Sequence, residues 1–148
     1  MIVVNTDSLE FHKQRLTGEI YVAVGESLFP GMLWNDSVAI VLNWWSGNLQ
    51  TLAKNTKKHV DLNFMDGPFA IRIVRGRQSY YAELFRDDVK VQSALRISLF
   101  ELVGCLRTAM GEVLHSCYKN KWSNNEIETL RRNKMALKAL ENALRLDE

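Results

Sequence analysis

Residues able to do metal or acid–base chemistry are few in this chain and far apart along it. The three histidines, His12, His59 and His115, fall in three different expected elements. A zinc site needs closely spaced ligands such as Cys-x-x-Cys or His-x-x-x-His, and neither spacing occurs. The glycines form no G-x-G-x-x-G or Walker pattern that would bind a phosphate group. We therefore expect neither a metal nor a cofactor.

The two cysteines are interpreted as structural. Cys105 and Cys117 fall in one expected helix, about 18 Å apart along its axis. A disulfide cannot span that distance. Both are expected to be reduced, buried thiols, and for Cys105 we prefer this interpretation to a nucleophilic or metal-binding role.

Asp66 is the strongest candidate for a catalytic acid, because it lies at a turn between two expected strands. An aspartate at such a turn commonly bonds its own backbone, and we favour that structural interpretation. The chain is accordingly expected not to be an enzyme. The alternative is a small hydrolase or transferase that uses Asp66 with His59, both expected near one end of the same strand.

Arginine and tyrosine side chains gather around the second turn of the same region. Arg72, Arg75, Arg77 and Tyr81 could stack on and clamp a nucleic acid, although the set is sparse for that purpose. Arginine and tyrosine are also enriched at protein interfaces, so we expect these four residues to bind a partner. Trp34, Trp44 and Trp45 are interpreted first as packing residues, and any that is exposed would suit an interface.

The segment 60–86 positions these side chains. It contains three apolar runs separated by turns at Asp66-Gly67-Pro68 and Gly76-Arg77, which predicts an antiparallel sheet with one buried face. A two-residue second turn pairs Ile73 with Tyr80 and Ile71 with Ala82. The first turn, which Pro68 should make looser than two residues, pairs Leu62 with Ile71 and Val60 with Ile73. The opposite, wet face carries Asp61, Asn63, Arg72, Tyr81 and Glu83.

Three main helices are predicted around this sheet. The first runs from a cap at Asn35 or Asp36 to about Lys54, with an apolar stripe at steps of three and four. Capping boxes at Ser98-Leu-Phe-Glu101 and Ser123-Asn-Asn-Glu126 open the other two. Further strands are expected at 2–4, 8–16, 19–24 and 89–95. The predicted fold is a single α+β domain, 1–148, whose C-terminal helices, 98–118 and 124–145, pack on one sheet face.

Composition and charge agree with a globular protein. Hydrophobic residues make up 47% and charged residues 24% of the 148 residues. The sequence has neither a signal-like start nor a long apolar segment, so we expect a cytoplasmic protein. Residues 1–52 carry five acidic and two basic side chains, whereas 53–97 carry nine basic and five acidic ones. A surface with both signs suits a protein partner at least as well as a polyanion.

The layout from about residue 22 onward resembles that of the small bacterial immunity proteins that accompany polymorphic or contact-dependent toxins. The shared features are the pair Trp44-Trp45, the run Phe64-Met-Asp-Gly-Pro-Phe69, a basic hairpin and two terminal helices. The resemblance implies a non-catalytic protein that binds and blocks one cognate toxin domain. The main alternative is a nucleic-acid-binding regulator that uses the basic hairpin and the basic face of the last helix.

Overall fold

The computed structural model describes residues 1–146, which form eight strands in two antiparallel sheets together with three helices. The predicted α+β class is confirmed. The strands are β1 (Ile2–His12), β2 (Arg15–Val24), β3 (Ser27–Phe29), β4 (Asn35–Ser37), β5 (His59–Asn63), β6 (Phe69–Arg75), β7 (Tyr80–Arg86) and β8 (Val89–Ile97). The helices are α1 (Val38–Ala53), α2 (Leu99–Asn120) and α3 (Asn125–Leu146).

The first sheet is built on β2, which pairs with β1, β3 and β4. The predicted strand 8–16 is wrong, because the chain reverses inside it at Lys13 and Gln14. Both residues have positive φ, 50° and 64°, as a tight two-residue hairpin turn requires. Lysine and glutamine are not typical turn residues, so the sequence carries no local signal for this hairpin.

The second sheet has the order β5-β6-β7-β8. Its first turn is as predicted, since Leu62 pairs with Ile71 and Val60 pairs with Ile73. The predicted register of the second turn is wrong by two residues: Ile73 pairs with Ala82, and Ile71 pairs with Leu84. The turn therefore spans four residues, 76–79. A shift of two residues leaves every side chain on its own face, so the predicted inner and outer faces are correct.

Helix α1 joins the two sheets, because it packs on β5 of the second sheet and on β2 of the first. Trp45 of α1 is completely buried, and its indole Nε1 donates to the carbonyl oxygen of Asn63 at 2.7 Å. The C-terminal helices pack on a sheet, as predicted, but the strand that α2 mainly contacts is β1 of the first sheet. Helix α3 packs on α1 and α2. In residues 1–146 each helix is too short or too polar to cross a bilayer.

The helix starts differ in how closely they follow the predicted caps. Ser98 caps α2 as predicted, and its Oγ accepts from the Glu101 N–H at 3.2 Å. Helix α3 is capped by Asn124 instead of Ser123, because Asn124 Oδ1 accepts from the Ile127 N–H at 2.8 Å. Helix α1 follows Ser37, whose side chain makes no capping bond. The predicted cap residue Asp36 uses its carboxylate elsewhere.

The carboxylate of Asp36 is completely buried and accepts four N–H groups. Its Oδ1 accepts from the backbone of Ser37 at 2.7 Å. Its Oδ2 accepts from Trp34 Nε1 at 3.0 Å and from the backbone of Met65 and Asp66 at 3.1 and 3.2 Å. Asp36 lies in β4 and the last two donors lie in the turn between β5 and β6. One side chain therefore ties the first sheet to the second.

A second buried carboxylate joins α2 to α3. Glu141 accepts two hydrogen bonds from the guanidinium of Arg107, both at 3.2 Å. Gly104 leaves room for it, since a Cβ at that position would lie 3.0 Å from Glu141 Oε2. Helical periodicity places Leu137, Leu140 and Glu141 near one another on α3. Leu137 is buried and Leu140 half-buried, but the ion pair on the same face was not anticipated.

Ile71 and Val91 allow a matched test of the inner face of the second sheet. Ile71 is 2% exposed and Val91 is 54% exposed. Ile71→Asp would bury an unpaired carboxylate, so we expect it to cost several kcal/mol or to abolish folding, whereas Val91→Asp should cost about 1 kcal/mol or less. Urea denaturation measures both. Equal losses in the two variants would contradict the assigned face.

Asp36→Asn tests the junction between the sheets. An amide group would face a backbone N–H in place of one carboxylate oxygen, so the free energy of unfolding should fall by about 1–3 kcal/mol. The matched control is Asp66→Asn, because Asp66 is exposed and its ion pair with Arg15, at 3.6 Å, lies in solvent. That variant should stay within about 0.5 kcal/mol of the parent protein. If Asp36→Asn left the free energy of unfolding unchanged, the junction would not depend on the charge of Asp36.

Candidate functional site

Arg72 lies at the centre of the outer face of the second sheet, between Asp61 on β5 and Glu83 on β7. Its Nε and Nη2 donate to the two carboxylate oxygens of Asp61 at 2.8 and 3.3 Å. These hydrogen bonds to Asp61 raise the pKa of Arg72. The guanidinium also lies over the ring of Phe85, 4.6 Å from its centroid. The guanidinium of Arg72 is therefore held against the sheet by Asp61 and Phe85.

Arg75 has a structural role in addition to any role in binding. Its Nη1 donates to the carbonyl oxygen of Lys57 at 2.8 Å, and its Nη2 donates to the carbonyl oxygen of Leu52. Leu52 lies in the last turn of α1, where carbonyl groups lack helical partners and a positive charge is favourable. Arg75 thus joins the end of β6 to the end of α1.

Arg77 and Tyr81 lie at the hairpin end of the outer face. Arg77 is exposed in the turn 76–79, and Tyr81 is half-buried. The Tyr81 ring covers Gly76 so closely that a Cβ there would lie 2.8 Å from Tyr81 Cε2. On β8, Arg96 pairs directly with Tyr81. The structure therefore brings Arg72 and Tyr81 onto one surface with Arg77 at its end, and it directs Arg75 to α1.

The outer face contains further residues that were not predicted from the sequence as binding residues. Phe85 follows Tyr81 and Glu83 along the same side of β7, and alternation along the strand would have identified it. Lys90 on β8 forms an ion pair with Glu83. Within residues 1–146 the helices pack elsewhere, so this surface remains open. We call it the outer face, and its side chains are those of His59, Asp61, Asn63, Ala70, Arg72, Val74, Tyr81, Glu83, Phe85, Lys90 and Arg96.

The residues considered for catalysis do not come together. His59 begins β5 and Asp66 follows the other end of that strand, so the expectation that they lie near one end is wrong. The strand separates them by roughly 13 Å at about 3.3 Å per residue. Asp66 is exposed and faces Arg15. In the described part of the chain, 1–146, no three His, Cys, Asp or Glu side chains are grouped so that they could hold a metal ion.

The cysteines and tryptophans differ in their environments. Cys117 is completely buried, and this burial raises the pKa of its thiol. Cys105 is only half-buried, so the prediction of a buried thiol is wrong for this residue. Trp34 is half-buried against Phe69, whereas Trp44 is 45% exposed. Of the three tryptophans, Trp44 alone offers a large apolar surface to solvent.

Comparison of the chain with protein-family models, with curated proteins and with solved structures finds no match. Its function therefore has to be inferred from its own residues.

Arg75 and Arg77 are expected to differ sharply in their effect on stability. Arg75→Ala removes two charge-assisted hydrogen bonds that join β6 to the end of α1, so the free energy of unfolding should fall by about 1–3 kcal/mol. Arg77→Ala should change it by less than about 0.5 kcal/mol, because the side chain is exposed. Chemical denaturation of both variants measures the difference. A stable Arg75→Ala variant would contradict the structural role.

Proposed function

We propose that this chain is a non-catalytic immunity protein that acts in the cytoplasm, where it binds and neutralises one cognate toxin domain. The observation that carries the proposal is the outer face of the second sheet. It presents two aromatic rings and charges of both signs on four hydrogen-bonded strands. Such a surface needs little ordering when a partner binds.

The composition of the outer face favours a protein partner. Tyrosine, phenylalanine and arginine are enriched at protein interfaces, and Tyr81, Phe85 and Arg96 lie together on β7 and β8. The charges alternate in sign across the sheet from Asp61 through Arg72 to Glu83. A complementary pattern on a partner would select it over other proteins and would speed the encounter. No metal or cofactor is required for this activity.

The nucleic-acid alternative has weaker support. Binding to a polyanion requires unpaired cations, and on α3 Arg131 lies 3.4 Å from Glu128 while Arg145 lies 4.0 Å from Glu141. Arg72 is likewise held by Asp61 on the sheet. Three of the cations in these two regions, Arg72, Arg131 and Arg145, are therefore matched by carboxylates within the chain.

Co-expression with a toxin domain tests the proposed function. If a neighbouring gene encodes a large secreted protein, the domain to use is the variable C-terminal part of that protein. We expect co-expression to restore growth and the purified proteins to form a one-to-one complex in size-exclusion chromatography. Failure of both would overturn the immunity function, whatever surface is involved.

The surface is tested separately with the double variant Arg77→Glu/Arg96→Glu. Both side chains are exposed, so folding should be preserved while the association rate constant falls by about tenfold or more. The matched control, Arg132→Glu/Lys138→Glu, makes the same charge change on exposed positions of α3 and should bind normally. Normal binding by the Arg77→Glu/Arg96→Glu variant and weakened binding by the control would exclude the outer face as the binding surface. Salt-sensitive binding of DNA or RNA that is lost in the α3 variant would instead support the nucleic-acid alternative.

A further inference from the structure

A cleft of about 820 Å³ lies on the inner side of the second sheet, opposite to the outer face. Ile73 and Ala82 line it from this sheet, and Val22 and Val24 line it from β2 of the first sheet. Trp45 of α1 also contributes to its wall. The cleft is thus bounded by both sheets and by α1, and it is concave.

Several apolar side chains that are only half-buried converge on this cleft. They come from β7, β8, α2 and α3. Residues that are distant in sequence therefore expose apolar surface to the same cleft. These side chains are Tyr80, Leu95, Ile97, Leu102, Cys105 and Leu144. Protein interiors are close-packed and contain few voids larger than a water molecule. An opening of this size with apolar walls is therefore not ordinary core packing.

The dimensions and lining match those of sites for small molecules. Such sites have volumes of about 300–1,000 Å³, apolar walls and a few polar groups that orient the ligand. The walls consist mainly of aliphatic side chains, which offer no hydrogen bonds. A polar molecule would lose its hydration there without compensation, so the occupant must be apolar over most of its length.

Polar residues lie together at one end of the cleft. Tyr80 pairs with Ile97, so the residues just before Tyr80 and just after Ile97 are neighbours. Gln78 and Ser79 precede Tyr80, and Ser98 follows Ile97. All three line the cleft, together with the charged side chains of Arg96 and Glu101. A ligand with an apolar body and one polar end fits this division.

We propose that the cleft binds a single-chain amphiphile, with its alkyl or acyl chain between the two sheets and its polar end near Ser79 and Ser98. The walls come from six or more separate elements and form a concave cleft, which suits a small molecule better than the flat surface of a protein. The proposal does not depend on the immunity function, because Arg96 is the one outer-face residue that also lines the cleft.

Dodecanoic acid and dodecanol, used below their aggregation concentrations, are suitable probes for the full chain. Titration calorimetry should show saturable one-to-one binding, and the melting temperature should rise with ligand concentration. Hexanediol, which has polar groups at both ends of a short chain, is the control and should not bind. Binding of the acid, the alcohol or both supports the proposal, and the comparison identifies the polar end. Absence of saturable binding by both overturns it.

Cys105 reports where the ligand binds. It lines the cleft and is half-buried, whereas Cys117 is completely buried with a raised thiol pKa. Bound dodecanoic acid should slow the alkylation of Cys105 by iodoacetamide several-fold. Binding that leaves this rate unchanged would place the ligand elsewhere and overturn the proposal.

The variant Leu102→Trp provides the complementary test by filling part of the cleft from α2. It should weaken dodecanoic acid binding by about tenfold or more while the protein remains folded. Ala139→Trp, at an exposed position of α3, is the matched control and should bind normally. Equal affinities in the two variants would contradict the site. If Leu102→Trp fails to fold, the protection of Cys105 in the parent protein decides the question.

Discussion

The buried carboxylate of Asp36 is the contact on which the relative placement of the two sheets depends. A charge with no access to solvent is costly unless its oxygens are fully hydrogen-bonded, and Asp36 accepts four N–H groups. Two of these donors belong to the turn between β5 and β6, so this turn is held against β4. The ring of Trp34 also covers that turn, and a Cβ at Gly67 would lie 2.8 Å from its Cη2. The small residue and the buried charge together allow the sheets to meet.

Once the sheets are joined in this way, the two faces of the second sheet have different environments. The inner face packs on Trp45 and its neighbours in α1 and forms one wall of the cleft. The outer face is left to solvent, where Asp61, Arg72 and Glu83 lie side by side across three strands. Period-two alternation produces this difference, because the side chains of adjacent residues in a strand point to opposite sides of the sheet. Exposed residues on one side and buried residues on the other can therefore vary independently.

Arginines in this protein are used mainly to connect elements. Arg75 joins β6 to the end of α1, and Arg107 pairs with the buried Glu141 between α2 and α3. Each guanidinium donates to a carboxylate or to backbone carbonyl groups of another element. The formal charge of +2 thus says little about which cations are available to a partner. Among the arginines of the second sheet considered for binding a protein, Arg77 and Arg96 are the exposed ones.

Local patterns in the sequence determined the α+β class, the two faces of segment 60–86 and the cap at Ser98. These features depend on alternation, helical periodicity and the chemistry of a few adjacent residues, all of which can be read along the chain. The same alternation placed Arg72 and Tyr81 on the outer face. It could also have placed Phe85 there, but the pairing of Arg96 with Tyr81 required the bulged register of β8.

Only the tertiary structure decided the division into two sheets, the hairpin at Lys13 and Gln14, the burial of Asp36 and the role of Arg75. Asp36 accepts N–H groups from residues about thirty positions away, and Arg75 donates to a helix end that precedes it by more than twenty. Nothing in the neighbouring sequence specifies such partners. The cleft has the same origin, because its walls come from both sheets and all three helices. A space between elements exists only after the elements have packed.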